Sequence, residues 1–505
     1  MRSWYSLGPR GSSVPLPTRL QEGGTSKIPA FLASSRGEDR SHGVALEDLT
    51  ARWLALLFIV YGLIAIGFLA INMPPFQNPD EFAHFFRAAQ IADGGLVARR
   101  FSTADAEGLP QVTAGGWVDP ALVTAMEPSR ILPFHRDIRA TRTIWAPSIG
   151  WSEKRVMAGF PNTAVYPPFF YIPSAIGVLY GHLTHSTIVQ TLVVSRMLTG
   201  AAAVALSAMA IACAGSAGIW VFAILTFPMS LSLIASSSQD ALLLACSALA
   251  GALWICLLRS RTERNGKVLA AFALVLGLIA MARPPYVALA ILPMGLINLP
   301  WRARLGAAAS VMALATAWSG IAATTALTNT GAFLGADPQA QLARLWGEPL
   351  LVLSVAWETA KQYYNAYSEG FVGILGWLDT KLPQAYYNVA YVMIGVAAIA
   401  ATSRPTGERT GIQSRLAIAV GLLLSAAGVF AIQYLTWTEP GHPVVEGVQG
   451  RYFLPLALAG TGLLPALGWA SPSRVRNILV VSVALFPIAT LAIVMRTVTL
   501  RYYLQ

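Results

Sequence analysis

Charge is scarce in this chain. Only 12% of its 505 residues are Asp, Glu, Lys or Arg, while 55% are hydrophobic. A soluble domain carries about 25% charged residues, so a wholly soluble fold is excluded and most of the chain belongs in a bilayer. Cysteine is nearly absent too. Cys213, Cys246 and Cys256 lie in or beside apolar runs, which reads as small core residues rather than disulfides or metal ligands. There is no Gly-x-x-x-x-Gly-Lys-Ser/Thr phosphate loop, no His-Glu-x-x-His pair and no Cys-x-x-Cys pair. Those absences remove nucleotide hydrolysis, zinc proteolysis and thiol redox chemistry. Without a soluble nucleotide-binding domain, a nucleotide sugar is not the expected donor for any transfer. No internal repeat is evident, unlike many secondary transporters.

The net charge of +11 would suggest nucleic acid in a soluble protein. Here it reads as arginine in short cytoplasmic loops, with the bilayer and not nucleic acid as the partner. Residues 1–50 stand apart, rich in Ser, Gly, Pro and Arg, with six basic and five acidic residues. The first thirty residues lack an apolar run, so they are not a cleavable signal peptide. The expectation is a disordered cytoplasmic tail over 1–50, then one polytopic membrane domain over 51–505.

Eleven apolar segments approach the ~20 residues needed to cross a bilayer: 52–72, 190–213, 217–235, 240–258, 267–282, 285–300, 304–326, 386–402, 415–436, 452–470 and 477–496. The expected fold is therefore all-α, integral to the membrane, with about eleven spans. With the N-terminus in the cytoplasm, the basic loops at Arg259–Lys267, Trp301–Arg304, Ser403–Arg415 and Arg474–Arg476 all fall inside. Counting Tyr166–Leu183 as a further crossing would move all four outside. It is expected instead to be an interfacial or re-entrant helix. The long external loops are then 73–189, 327–385 and 437–450, and the second should carry an interfacial helix from Pro349 to about Tyr367.

The same count gathers the unusual polar residues on one side. Pro74-Pro75-Phe76-Gln77-Asn78-Pro79-Asp80-Glu81 follows the first span at once, and His84 and Arg87 sit four and seven residues after Asp80, on its helix face. Asp80 and Glu81 are the candidate catalytic carboxylates. Adjacent helical residues point about 100° apart, so one should lead and the other support. The bland alternative is a helix start with Asn78 as N-cap and Pro79 at N1. His84 is a candidate metal ligand or proton shuttle, with a headgroup-solvated histidine as its alternative. Asp240, Arg283 and Arg451 also fall at outer span ends, with Tyr286, Gln449 and Tyr452 beside them. Guanidinium suits phosphate, which takes paired hydrogen bonds, so Arg87, Arg283 and Arg451 are candidate phosphate ligands. No cofactor is certain. A divalent cation (Mg, Mn or Ca) on Asp80 and Glu81 is open, and the spacing does not choose among the three.

These motifs, with Tyr166-Pro167-Pro168…Tyr171, Gly376-Trp377-Leu378-Asp379 and Gln449-Gly450-Arg451-Tyr452-Phe453, resemble domain-of-unknown-function family 2142, predicted bacterial polytopic membrane proteins, over about residues 52–496. That family is similar to the GT-C class of membrane glycosyltransferases. The resemblance implies a sugar moved from a polyprenyl-phosphate carrier to an envelope acceptor, at the extracytoplasmic face of the inner membrane. It implies an acidic residue directly after the first span, where Asp80 or Glu81 stands, and an interfacial helix before the second. A rival expectation is a non-catalytic exporter, flippase or assembly subunit, which would carry charge along a path inside its spans. The spans read as nearly free of internal charge.

Overall fold

Lipid offers the backbone no hydrogen-bond partners, so the apolar runs satisfy themselves as helices. The structure is a computed structural model describing residues 30–104, 110–146, 148–259, 265–329, 335–402, 411–464 and 473–504. The tail expected over 1–50 falls largely on residues 1–29, outside the described residues. In chain order the helices are α1 (Ala30–Asn72), α2 (Glu81–Ala92), α3 (Pro120–Met126), α4 (Pro161–Ala164), α5 (Ile172–Leu183), α6 (Ile188–Cys213), α7 (Gly218–Leu225), α8 (Pro228–Ile234) and α9 (Gln239–Arg259). There follow α10 (Asn265–Ala282), α11 (Trp301–Thr325), α12 (Pro338–Gly347), α13 (Leu351–Val372), α14 (Gln384–Thr402), α15 (Ile412–Thr436), α16 (Leu454–Ala459) and α17 (Ser473–Tyr502).

Among the described residues eight helices are long and apolar enough to cross a membrane: Leu49–Asn72 of α1, α6, α9, α10, α11, α14, α15 and Arg474–Tyr502 of α17. Three of the eleven apolar segments are not continuous helices, and proline explains two of them. Segment 217–235 is α7 and α8, bent by 81° where Pro228 restarts the helix. Segment 285–300 begins as a twelve-residue 3-10 helix, Pro284–Gly295, opened by two prolines with a third inside it. Segment 452–470 is a 3-10 turn (Gly450–Phe453), the six-residue α16 and a second turn (Gly460–Leu463), its remainder outside the described residues. Helix α9 is the central strut, with 78% of its apolar window buried, whereas α11 and α15 bury 22%. Glycines set its close contacts: a Cβ on Gly251 would stand 2.5 Å from the Leu458 carbonyl oxygen.

The chain is mostly helical, consistent with the all-α membrane expectation, and the segment between α1 and α6 adds a small sheet. It holds an antiparallel sheet of β1 (Arg99–Ala104), β2 (Pro110–Val118) and β3 (Val156–Gly159), with Arg99 opposite Gly115 and Gly115 opposite Gly159. A Cβ on Gly115 would lie 1.9 Å from the Ala158 carbonyl oxygen, so only glycine admits this pairing. Helix α5 has twelve residues, too few to cross. It packs beside α6, with Gly177 against Ser195 and Gly181 against Thr191. Both its ends touch the same loop, Tyr171 reaching His84 and His182 lying 4.0 Å from the Trp151 ring. Helix α13 covers the helix expected at 349–367 and runs on to Val372.

One end of the helix bundle collects this loop. Tyr503 Oη donates to the Asn72 carbonyl at 2.8 Å, and Trp318 Nε1 to Val165 at 2.9 Å. Arg501 donates to Leu132 (2.7 Å) and Ile138 (3.1 Å) and pairs with Asp379 at 3.3 Å. Asp379 also accepts from the Phe134 amide at 2.9 Å. The Gly-Trp-Leu-Asp motif is thus a clasp between the first loop, β-hairpin Ile374–Lys381 and the end of α17.

Candidate charged site at the helix ends

Three prolines, Pro74, Pro75 and Pro79, turn the chain sharply after α1. Within that turn Phe76 (φ 61°) and Asp80 (φ 57°) take the left-handed conformation. For a residue with a side chain this costs about 1–3 kcal/mol, so the surroundings must impose it. Arg196, inside α6, does so. Its five N–H groups are all used: Nε to Glu81 Oε1 (2.8 Å), Nη2 to Glu81 Oε2 (2.5 Å) and Pro74 O (3.0 Å), Nη1 to Ala70 O (3.1 Å) and Met73 O (2.7 Å). Glu81 accepts as well from the Ser237 amide (3.2 Å) and Asn78 Nδ2 (3.1 Å). Both charged side chains are 0% exposed. Burial alone would raise the Glu81 carboxyl. The adjoining guanidinium outweighs that and holds it below the usual carboxylate range.

Glu81 is therefore anchored inward, both its oxygens held by the protein. The helix begins at Glu81, with Asp80 and not Asn78 as N-cap. Asn78 instead turns in toward Glu81 and accepts from Ser232 Oγ at 3.1 Å. The Asp80 side chain makes no capping hydrogen bond and is 37% exposed. It accepts from Arg451 Nη2 at 2.9 Å and Asn162 Nδ2 at 3.3 Å.

From Asp80 the charges run inward. Arg451 donates through Nε to Gln449 (2.5 Å), and its Nη1 lies 3.6 Å from Asp240 Oδ2. The other Asp240 oxygen holds Arg283 Nη2 at 2.8 Å. Both guanidiniums approach the Tyr452 ring, Arg283 at 4.5 Å and Arg451 at 5.5 Å from its centroid. Tyr286 Oη donates a hydrogen bond to the Tyr452 carbonyl, which fixes that backbone. Two carboxylates thus face two guanidiniums, a neutral tetrad. Its spare donors are Arg283 Nε, without a hydrogen-bond partner, and Arg451 Nη1, whose contact with Asp240 is too long for one.

His84 closes one side. It is buried, which overturns a headgroup-solvated histidine; its Nδ1 meets Tyr171 Oη at 2.7 Å and its ring lies parallel to Tyr166 with centroids 6.1 Å apart. Burial lowers its pKa to about 4; Asp240 and Asp80 oppose that shift, and Arg451 and Arg283 reinforce it. Burial likewise pushes the Tyr166 phenol up to about 12. Arg87 does not join the tetrad. It donates to Gln90 (2.5 Å), Gly95 (3.3 Å), Leu96 (2.7 Å) and the Tyr166 carbonyl (3.1 Å), tying the chain after α2 back onto that helix. It stands apart from the tetrad, its Nη donors held by the Gln90 side chain and by carbonyls inside the protein.

Among the described residues no group of three or more His, Cys, Asp or Glu side chains could hold a metal ion. Glu81, Asp80 and Asp240 each already face a guanidinium, whose charge opposes a metal's. Sequence reasoning passed over Arg196 and Asn162. Arg196 left a signal: it is the one charged residue in 188–213, and an ionisable group within a span needs a partner.

A family model described as "Predicted membrane protein (DUF2142)" matches residues 63–459. The chain belongs to that family. No curated protein matches it. The matched stretch contains the whole tetrad, the Glu81–Arg196 anchor and the Asp379 clasp, but not Arg501. It describes a multi-pass membrane protein and carries no activity with it.

Proposed function

We propose that the tetrad is the active site of a membrane glycosyltransferase that takes a sugar from a polyprenyl phosphate and delivers it to an envelope acceptor. One observation carries the reading: the partly exposed Asp80 carboxylate pairs with Arg451, and Asp240 links that guanidinium to Arg283, at one end of the bundle. The likeness to GT-C enzymes agrees with an acid in that place. In this reading the acceptor hydroxyl attacks the anomeric carbon while Asp80 takes its proton. The new glycosidic C–O bond forms as the anomeric C–O bond to phosphate breaks, and polyprenyl phosphate leaves with the electron pair, so configuration inverts. Arg451 Nη1 and Arg283 Nε meet the charge that grows on the departing phosphate. The transition state is oxocarbenium-like. Glu81 shapes the turn that presents Asp80.

The basic loops at the opposite span ends support an extracytoplasmic, bacterial inner-membrane setting for the tetrad end. Spans α1 and α17 both finish at that end, which agrees with an odd count such as eleven passes. The rival, a transport path, would need charge along the spans. Arg196 does lie within α6, but all five of its donors are taken by protein groups, so it offers nothing to cargo.

The test is sugar transfer in membranes supplied with radiolabelled polyprenyl-phosphate hexoses. Asp80→Asn should lower turnover by about 10²-fold or more with unchanged folding. Full activity in Asp80→Asn would remove the mechanism.

A further inference from the structure

A cavity of about 310 Å³ opens beside the turn that carries Asp80, with Phe76, Gln77, Phe82, Ser129, Arg130 and Trp377 in its lining. Phe82 and Trp377 lie nearly parallel, 10° apart with ring centroids 6.0 Å from one another. Trp377 Nε1 donates to the Phe76 carbonyl at 2.8 Å, which fixes the indole plane. Gln77 donates to the Ser129 carbonyl at 3.1 Å, yet its Oε1 is buried without a partner in a side chain only 1% exposed. An unpaired buried acceptor is costly, and a ligand hydroxyl would relieve it.

We infer that this cavity binds one pyranose ring of the acceptor glycan. Flat aromatic faces carry negative charge density that suits the weakly positive C–H face of a sugar. Gln77 Oε1 supplies a directed acceptor for a hydroxyl. The volume lies at the bottom of the about 300–1,000 Å³ range of small-molecule sites, fitting a single ring. A phosphate is disfavoured, because the cavity's one cation, Arg130, is exposed and already pairs with Glu127 at 3.1 Å. A lipid tail would leave the Gln77 oxygen unpaired. Gln77 and Phe82 stand three and two residues from Asp80 in the chain, so a sugar held here lies next to the proposed base. The identity of this sugar as acceptor rests on the transferase reading; its binding does not.

The experiment is saturation-transfer NMR on the full chain in nanodiscs, with methyl glucoside, methyl mannoside and methyl galactoside as probes and glycerol as control. At least one glycoside should give signal, glycerol none. Phe82→Leu and Trp377→Leu should each weaken binding about fivefold or more, the loss of one aromatic contact. A variant counts only if it elutes as a single species with near wild-type unfolding temperature, and either one suffices. Absence of signal from all three glycosides, or binding unchanged in a folded Phe82 or Trp377 variant, overturns the inference. If glycosides bind here while no transfer occurs, the cavity stands and the transferase reading fails. If transfer proceeds with acceptor KM unchanged in the folded variants, the reading stands and the cavity assignment fails.

Discussion

Replacing Arg196 with methionine, which keeps much of the volume, isolates what the buried anchor contributes. The substitution deletes five hydrogen bonds: two to the Glu81 carboxylate and three to the carbonyls of Ala70, Met73 and Pro74. It leaves Glu81 charged, with water excluded. Removing one partner of a buried pair costs about 3–5 kcal/mol. The three carbonyls add less, since each net hydrogen bond is worth about 1 kcal/mol. Replacing both partners, as in Glu81→Met with Arg196→Met, removes the stranded charge and should cost less than the two single changes summed, with a coupling of at least about 2 kcal/mol. The assay is thermal and urea unfolding of the detergent-solubilised protein. A second signature follows from protonation. Without its guanidinium the Glu81 carboxyl rises, so Arg196→Met should recover stability as pH falls toward 5, while wild type does not. Additive single and double changes, or a loss below about 1 kcal/mol in Arg196→Met, would refute the anchor.

Three further outcomes follow. His84 has a folded pKa of about 4 against about 6.5 unfolded; the unfolded chain binds the extra proton, so its contribution to stability should fall as pH drops from 6.5 to 4. The loss is about 3 kcal/mol, checked as the difference between wild type and His84→Gln across that window. Gly115→Ala drives a methyl into the Ala158 carbonyl and should cost about 1–3 kcal/mol, read as faster hydrogen exchange in β2 and β3. Asp379→Asn weakens the pair with Arg501 and should raise protease sensitivity at residues 133–140 while the spans stay intact.

The spans were legible because lipid demands long apolar helices, and eight of the eleven segments are just that. The other three are apolar enough but interrupted, at Pro228 and Pro284-Pro285, or by the short turns around α16. The β-sheet was not read from the sequence: β1 is exposed along almost its whole length, β2 is buried only toward its C-terminal end, and Gly115 shows its purpose only beside Ala158. At the site, parity alone brought Asp80, Asp240, Arg283 and Arg451 to one end, where the structure joins them in one network. It did not separate Asp80 from Glu81. That depends on Arg196, 115 residues further on, a contact no local pattern encodes. Arg87 lies outside that network for the same reason, since its partners are fixed by the fold and not by charge.

The most direct test of the central claim is thiol labelling of Asp80→Cys in intact cells, after replacing Cys213, Cys246 and Cys256. A membrane-impermeant maleimide should modify it from outside, and added polyprenyl phosphate should protect it. Labelling only after permeabilisation, or labelling indifferent to the lipid phosphate, would contradict an outward-facing site built on Asp80, Arg451, Asp240 and Arg283.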